Sequence, residues 1–351
     1  MKRTLQHRVA AIAAVLAGSM VVMGAQQPPP NPNPFRFKSG VELINVTATV
    51  SDAAGRFVPG LTKDDFVVYE DDQPQEITHF SAERVPVSLG IAIDTSGSMA
   101  GDKIREAQGA LGRFIFDLLD KRDELFIYRF SNAPQLLQGW TSDRQLLARA
   151  LERTAPNGGT AMYDTVREAL PLFATSQNQK KSLVIISDGR DTSSRATISE
   201  VHQAIRASEA LVYAVGIDCA RAVRSPRGVW RMQRGPIPFP FPPGRRPFPP
   251  GRPPIAAPPP PGTVPMWEGC ADPVDVVSLR DLTDDSGGRT EVVRDARDLN
   301  PATENIADEL SKQYYLGYAS PGKKDGRWHS IRVELKGKPY RVRARRGYTA
   351  S

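Results

Sequence analysis

Residues 87 to 101 read VSLGIAIDTSGSMAG. Apart from Ser88 the first seven are apolar, the pattern of a strand covered on both faces, and such strands belong to parallel sheets. The run ends on an acid followed by hydroxyls at every second position, Asp94, Ser96 and Ser98. In open parallel sheets the functional loops lie beyond the carboxyl ends of the strands. The stretch therefore decides the fold class, α/β, and marks where chemistry is to be sought.

Downstream, strand-like and helix-like segments alternate to residue 313. DKIREAQGALGRFIFDLLD puts Ile104, Ala107, Leu111, Phe114, Ile115 and Leu118 on one helical face. ELFIYRFS and PQLLQGWT read as strands joined as a hairpin across Asn132 and Ala133. DRQLLARALERT and AMYDTVREALPLFATS read as helices separated by the breaker APNGGT, which carries Thr160. KSLVIISDG repeats the opening design and ends on Asp188. Thr197 followed by Glu200 is a capping box ahead of another helix. ALVYAVGID, VDVVSLRDLTDDSGG, RTEVVRD and NPATENIADELSKQ complete the alternation. The expectation is a doubly wound, mostly parallel sheet.

The segments on either side alternate polar and apolar residues around Gly- and Asp-rich turns, and each is too small to bury a core alone. They are expected to pair with each other as a small antiparallel β-sandwich. The predicted organisation is a signal peptide at 1–25, a Pro-rich linker at 26–38, β-domain segments at 39–85 and 314–351, and α/β segments at 86–219 and 270–313. A Pro/Arg-rich insertion at 220–269 splits the α/β domain. Arg341, Arg343 and Arg345 recur at every second residue, which reads as a solvated face or an anion-binding stripe.

Formal net charge is +7 and the isoelectric point about 9.4, which at first suggests nucleic acid. The leader, however, carries three basic residues and no acid, and the insertion carries eight arginines and one acid, Glu268. The remainder is slightly acidic, so nucleic-acid binding is excluded. A basic start, the run VAAIAAVLAGSMVVMGA and small residues at Gly24 and Ala25 read as a secretory leader, with an uncleaved anchor as the alternative. No other membrane span is expected, and the location is secreted, periplasmic or cell envelope. The insertion holds 16 prolines, so it is expected to run extended, either gripping an anionic surface or partner groove or serving as a solvated linker. Cys219 and Cys270 bracket it, and in an oxidising compartment a disulfide between them would close its base.

Asp94, Ser96, Ser98, Thr160 and Asp188 supply two carboxylates and three hydroxyls. An all-oxygen set suits a hard divalent cation: Mg2+, with Mn2+ or Ca2+ as substitutes. Neutral hydroxyls leave such an ion electrophilic, able to accept an acidic side chain from a protein partner. The string DTSGS, the Thr in GGT and the Asp in SDG resemble the metal-ion-dependent adhesion site of von Willebrand factor A domains. With its leader and β-forming flanks the chain is similar to secreted bacterial proteins of that group. The resemblance implies that the serines and Thr160 coordinate directly, that the aspartates act partly through water, and that Asp191 stands behind them.

Enzyme readings find little support. His7, His79, His202 and His329 are scattered, Ser98 lacks a G-x-S-x-G elbow, and GYASPGKK lacks the hydroxyl and following helix of a phosphate loop. The expected function is a metal-dependent binding or adhesion module, with a structural envelope component, its metal only stabilising, as the alternative.

Overall fold

The computed structural model describes residues 43–188, 190–218, 274–320 and 325–350. The expected leader, linker, Pro/Arg insertion and cysteine pair lie outside the described residues. No described helix is long and apolar enough to cross a membrane.

The six-stranded central sheet consists of β5 (Val87–Asp94), β6 (Glu124–Phe130), β7 (Pro134–Thr141), β8 (Lys180–Ser187), β9 (Leu211–Ile217) and β10 (Thr290–Val293), in the order β10-β9-β8-β5-β6-β7. All neighbours run parallel except β7, which turns back on β6 as the expected hairpin and forms an edge. Strand order reverses between β5 and β8, so a crevice opens where Asp94 and Asp188 emerge.

Helices cover both faces. On one, Ile104, Ala107 and Leu111 of α1 (Asp102–Arg113), Leu147 and Leu151 of α2 (Arg144–Glu152), and Leu299, Ile306 and Leu310 of α6 (Leu299–Lys312) pack on Leu89, Ile91, Ile93, Val184 and Val215. On the other, Met162 and Val166 of α3 (Met162–Ala169), Val201 and Ile205 of α4 (Ile198–Ala207), and Leu279 and Leu282 of α5 (Val276–Asp284) meet Ala92, Phe126, Leu183, Ile185 and Val212. The expected apolar face of α1 is buried through Ile115, although residues 114–118 wind as a π-helical turn and Leu118 is only partly covered. The expected capping box at Thr197 and Glu200 is present.

The flanks pair across the length of the chain. β1 (Leu43–Ser51) lies between β11 (Tyr314–Ala319) and β13 (Arg341–Arg343), with β4 (Ile77–Ser81) beyond β11. β2 (Phe66–Glu70) lies between β12 (Trp328–Leu335) and β3 (Gln73–Gln75), with β14 (Gly347–Thr349) beyond β12. Val46, Val50, Phe66, Val68, Tyr314, Leu316 and Ile331 fill the core of this antiparallel sandwich.

The arginine stripe does not behave as one face. Arg341 is exposed, whereas Arg343 donates to the Glu309 carboxylate at 2.7 Å and to the Gly288 carbonyl at 2.8 Å. Arg345, beyond the end of β13, is buried and faces Glu209 at 3.6 Å. Two of the three anchor the sandwich to the α/β layer, Arg343 through the buried Glu309 carboxylate, which it shares with Arg289, and Arg345 through Glu209.

Candidate functional site

β5 is buried along its whole length between β6 and β8, so its last residue, Asp94, is enclosed completely. Asp94 Oδ1 accepts the Ser96 amide at 2.8 Å and Oδ2 accepts the Ser187 hydroxyl at 2.5 Å. Burial pushes the Asp94 carboxyl up to about 6 against these hydrogen bonds, and the Asp188 charge adds to the rise.

The loop after β5 is fastened before it reaches the serines. The Thr95 amide and hydroxyl both donate to the Phe130 carbonyl, at 2.7 and 2.9 Å. The Gly97 amide donates to the Gly158 carbonyl at 2.9 Å, and the Asn157 amide to the Thr95 carbonyl at 2.8 Å, zipping the serine loop to the Thr160 loop. Gly158 has φ +72, and a Cβ on Gly159 would stand 2.2 Å from the Ser193 hydroxyl, so both glycines of NGGT are required by this crossing.

Ser96 Oγ and Ser98 Oγ lie 3.0 Å apart, and Ser98 Oγ donates to Asp188 Oδ1 at 2.7 Å. Asp94, Ser96, Thr160 and Asp188 are buried while Ser98 is exposed, so the cluster opens to solvent on the Ser98 side. Thr160 is brought in by its backbone: its carbonyl accepts the Thr192 and Ser193 amides at 2.8 and 3.0 Å, and its amide donates to the Thr192 hydroxyl at 3.0 Å. Among the described residues its hydroxyl makes no hydrogen bond to either serine.

Asp191 stands one layer back. It accepts the Tyr163 amide at 2.8 Å at the start of α3 and the Ser194 amide and hydroxyl at 3.1 and 2.6 Å. It thereby holds the loop that grips Thr160.

Three participants escaped the sequence reading: Ser187, Thr192 and Lys103. The Lys103 ammonium bonds the Asp188 carboxylate and the Ser98 carbonyl, the latter at 2.9 Å. A signal for it existed, because a lysine in the first turn of a helix opposes the helix dipole and needs a compensating partner.

The donor set fits a small hard cation. Cis oxygens of an octahedral Mg2+ shell with bonds of about 2.0–2.1 Å lie about 2.9 Å apart, close to the separations between Ser96, Ser98 and Asp188. The ammonium on Asp188 marks the same spot as one that attracts positive charge. A cleft of about 790 Å3 lies elsewhere, beside Arg56, Glu309, Lys312 and Arg343.

Residues 89–190 match the model of the von Willebrand factor type A domain. Over 119 residues the chain is 28% identical to the minor fimbrium subunit Mfa5 of Porphyromonas gingivalis, a stretch that covers 32% of this chain and 10% of that protein. The chain thus spans about a tenth of that relative's length. Among solved structures, BatB from Bacteroides thetaiotaomicron is 20% identical with a TM-score of 0.44, covering 64% of this chain and 98% of that one. A von Willebrand factor type A protein from Catenulispora acidiphila is 13% identical with a TM-score of 0.46, covering 90% and 74%. The match begins inside β5 and ends beyond Asp188, so it is residues 89–190, the segment holding Asp94, Ser96, Ser98, Thr160 and Asp188, that are similar to a von Willebrand factor type A domain.

Proposed function

We propose that the chain is a metal-dependent binding module of the cell envelope or exterior. It would recognise an acidic group on a protein partner through a divalent cation held by Asp94, Ser96, Ser98, Thr160 and Asp188. The carrying observation is the approach of three separate loops at the strand-order reversal: Ser96 to Ser98 at 3.0 Å, Ser98 to Asp188 at 2.7 Å, and the Gly97–Gly158 bond that draws in the Thr160 loop. When bound, Mg2+ would supply an electrophilic position for a partner's carboxylate. The protein groups orient the oxygens and keep most of them out of water.

Mfa5, to which the chain is similar, is a minor fimbrium subunit, and this reading likewise gives the present chain a task outside the cytoplasm. Binding rather than catalysis is supported by where the described histidines sit: His202 pairs with Asp285 at 2.9 Å and His329 with Asp71 at 2.7 Å, while His79 packs edge-on against Tyr315. None of these contacts involves the loops around Asp94. Lys103 favours a second reading, a structural component whose metal only stabilises the sheet edge, because its ammonium already neutralises Asp188 in part.

Titration with Mg2+ and Mn2+, followed by partner capture from an envelope extract with and without chelator, tests the proposal. Expected are one bound ion that Asp94→Ala removes and a partner that chelator releases at once. A partner retained in chelator would support the structural reading, and absence of any ion dependent on Asp94 would end both.

A further inference from the structure

On the sandwich, away from the serine loops, β2 ends on Glu70 and the turn to β3 begins with Asp71, whose φ of +47 swings its carboxylate back over β12. Asp71 is locked there, its amide donating to the Ser330 carbonyl at 3.0 Å and its Oδ1 accepting the Ser330 amide at 2.8 Å. His329 of β12 sits between the two acids. Its Nδ1 is 2.7 Å from Asp71 Oδ2 and 3.8 Å from Glu70 Oε1, and its Nε2 is 3.2 Å from Asp325 Oδ1. One donor atom from each of Glu70, Asp71 and His329 lies within 4.8 Å of the others.

Two further observations bear on a cation. Both ring nitrogens meet carboxylates, Nδ1 at Asp71 and Nε2 at Asp325, so the ring is held either by two protons or by one proton on Nε2 with a cation on the Nδ1 lone pair. Second, Glu70 is 5% exposed, and its Oε2 is buried without a hydrogen-bond partner although Ser320 and Tyr348 donate to Oε1 at 3.0 and 3.1 Å. The histidine's outer nitrogen on a carboxylate is the usual second-layer arrangement of metal-bound imidazole. The Tyr348 ring, stacked at 5.4 Å, restrains its rotation. Asp71, 51% exposed at its side chain, leaves an entry path.

We propose that Glu70, Asp71 and His329 form a second metal site, separate from the serine loops, with Asp325 as its positioning residue. One nitrogen with two carboxylates selects a divalent transition ion, and Zn2+ is the natural probe. The reading stands independently of the adhesive one.

The test is calorimetric titration of the full chain with Zn2+ in a large excess of Mg2+, which saturates an oxygen-only site. One Zn2+ equivalent is expected to survive the Mg2+. His329→Gln and Asp71→Asn should each weaken it by a hundredfold or more, and Asp325→Asn by about tenfold. Asp94→Asn should leave it in place, which separates its failure from that of the serine-loop site. Circular dichroism identifies any variant that has lost its fold, and Asp71→Asn then stands in for His329→Gln. Absence of Zn2+ binding in excess Mg2+, equal binding by both variants, or loss with Asp94→Asn alone overturns the proposal. So does an imidazole NMR signal of His329 that follows pH but ignores Zn2+.

Discussion

Lys103 shows how one side chain can set the character of the serine-loop site. It spans from the first turn of α1 to Asp188, so a cation arriving there competes with an ammonium already in place. Lys103→Met is expected to tighten Mg2+ binding about tenfold, because an opposing unit charge a few ångströms away is removed from a partly buried position. Titration calorimetry would show this, and unchanged or weaker binding would mean that the lysine orients Asp188 instead of competing for it. Gly90 illustrates the opposite constraint, since a Cβ there would lie 2.3 Å from the Phe126 ring inside the sheet core. The residue that carries DTSGS to the sheet end is thus held by packing as firmly as the site residues are by hydrogen bonds.

At the level of elements, the start of α3 and the 191–196 loop behave as one clasp. Asp191 accepts the Tyr163 amide, while Asp164 accepts the Arg195 and Ala196 amides at 3.0 and 2.8 Å. Each carboxylate meets amides that a helix or loop end leaves without partners. Asp191→Ala is expected to cost about 1–2 kcal/mol of stability in denaturant unfolding. It should also weaken Mg2+ binding with Thr160 itself unchanged, because the loop that grips the Thr160 carbonyl loses its own anchor. A loss of stability with full metal affinity would show that Thr160 is positioned from the Gly158 side alone.

Across the whole molecule, the sandwich and the α/β layer meet around Glu309. Its Oε1 accepts the Thr49 and Tyr213 hydroxyls at 3.1 and 2.9 Å, and its Oε2 faces Arg343 at 2.7 Å and Arg289 at 3.2 Å. Glu309→Ala would leave Arg343 without its carboxylate and Arg289 with Glu291 alone, and is expected to destabilise by about 3 kcal/mol, the lower end for a buried pair because both arginines are partly exposed. Equilibrium unfolding should then show the sandwich and the α/β layer separating into two transitions.

One residue away, the Lys180 ammonium bonds the Leu310 carbonyl at the end of α6. Burial pulls the Lys180 amine down to about 7, with the Arg84 charge assisting and Asp123 and Glu309 opposing. The unfolded amine titrates near 10.4. Between these values the unfolded chain binds more protons, so this group makes stability rise with pH from about 7 to 10, by at most ~1.4 kcal/mol per unit. Below 7 the full cost of burying the charge is present. Lys180→Met is expected to flatten the rise measured by urea unfolding across that range, and an unchanged slope would show that Lys180 stays charged in the fold.

The linear chain by itself determined the elements and much of the site. Apolar runs ending on Asp94 and Asp188, the NGGT breaker and the Thr197 capping box are local patterns whose physics operates within a few residues, so they read directly from order and spacing. The alternation of strands and helices likewise limited the fold to a doubly wound sheet with a paired flank. What needed the tertiary structure were contacts between residues far apart in the chain. Lys103 meets Asp188 across 85 positions and Glu309 meets Thr49 across 260. His329 meets Asp71 across 258. Arg343 and Arg345 turned inward, and Arg341 did not, for the same reason: period-two spacing says which residues share a face, but only the packed layers decide which of them meets water and which a carboxylate.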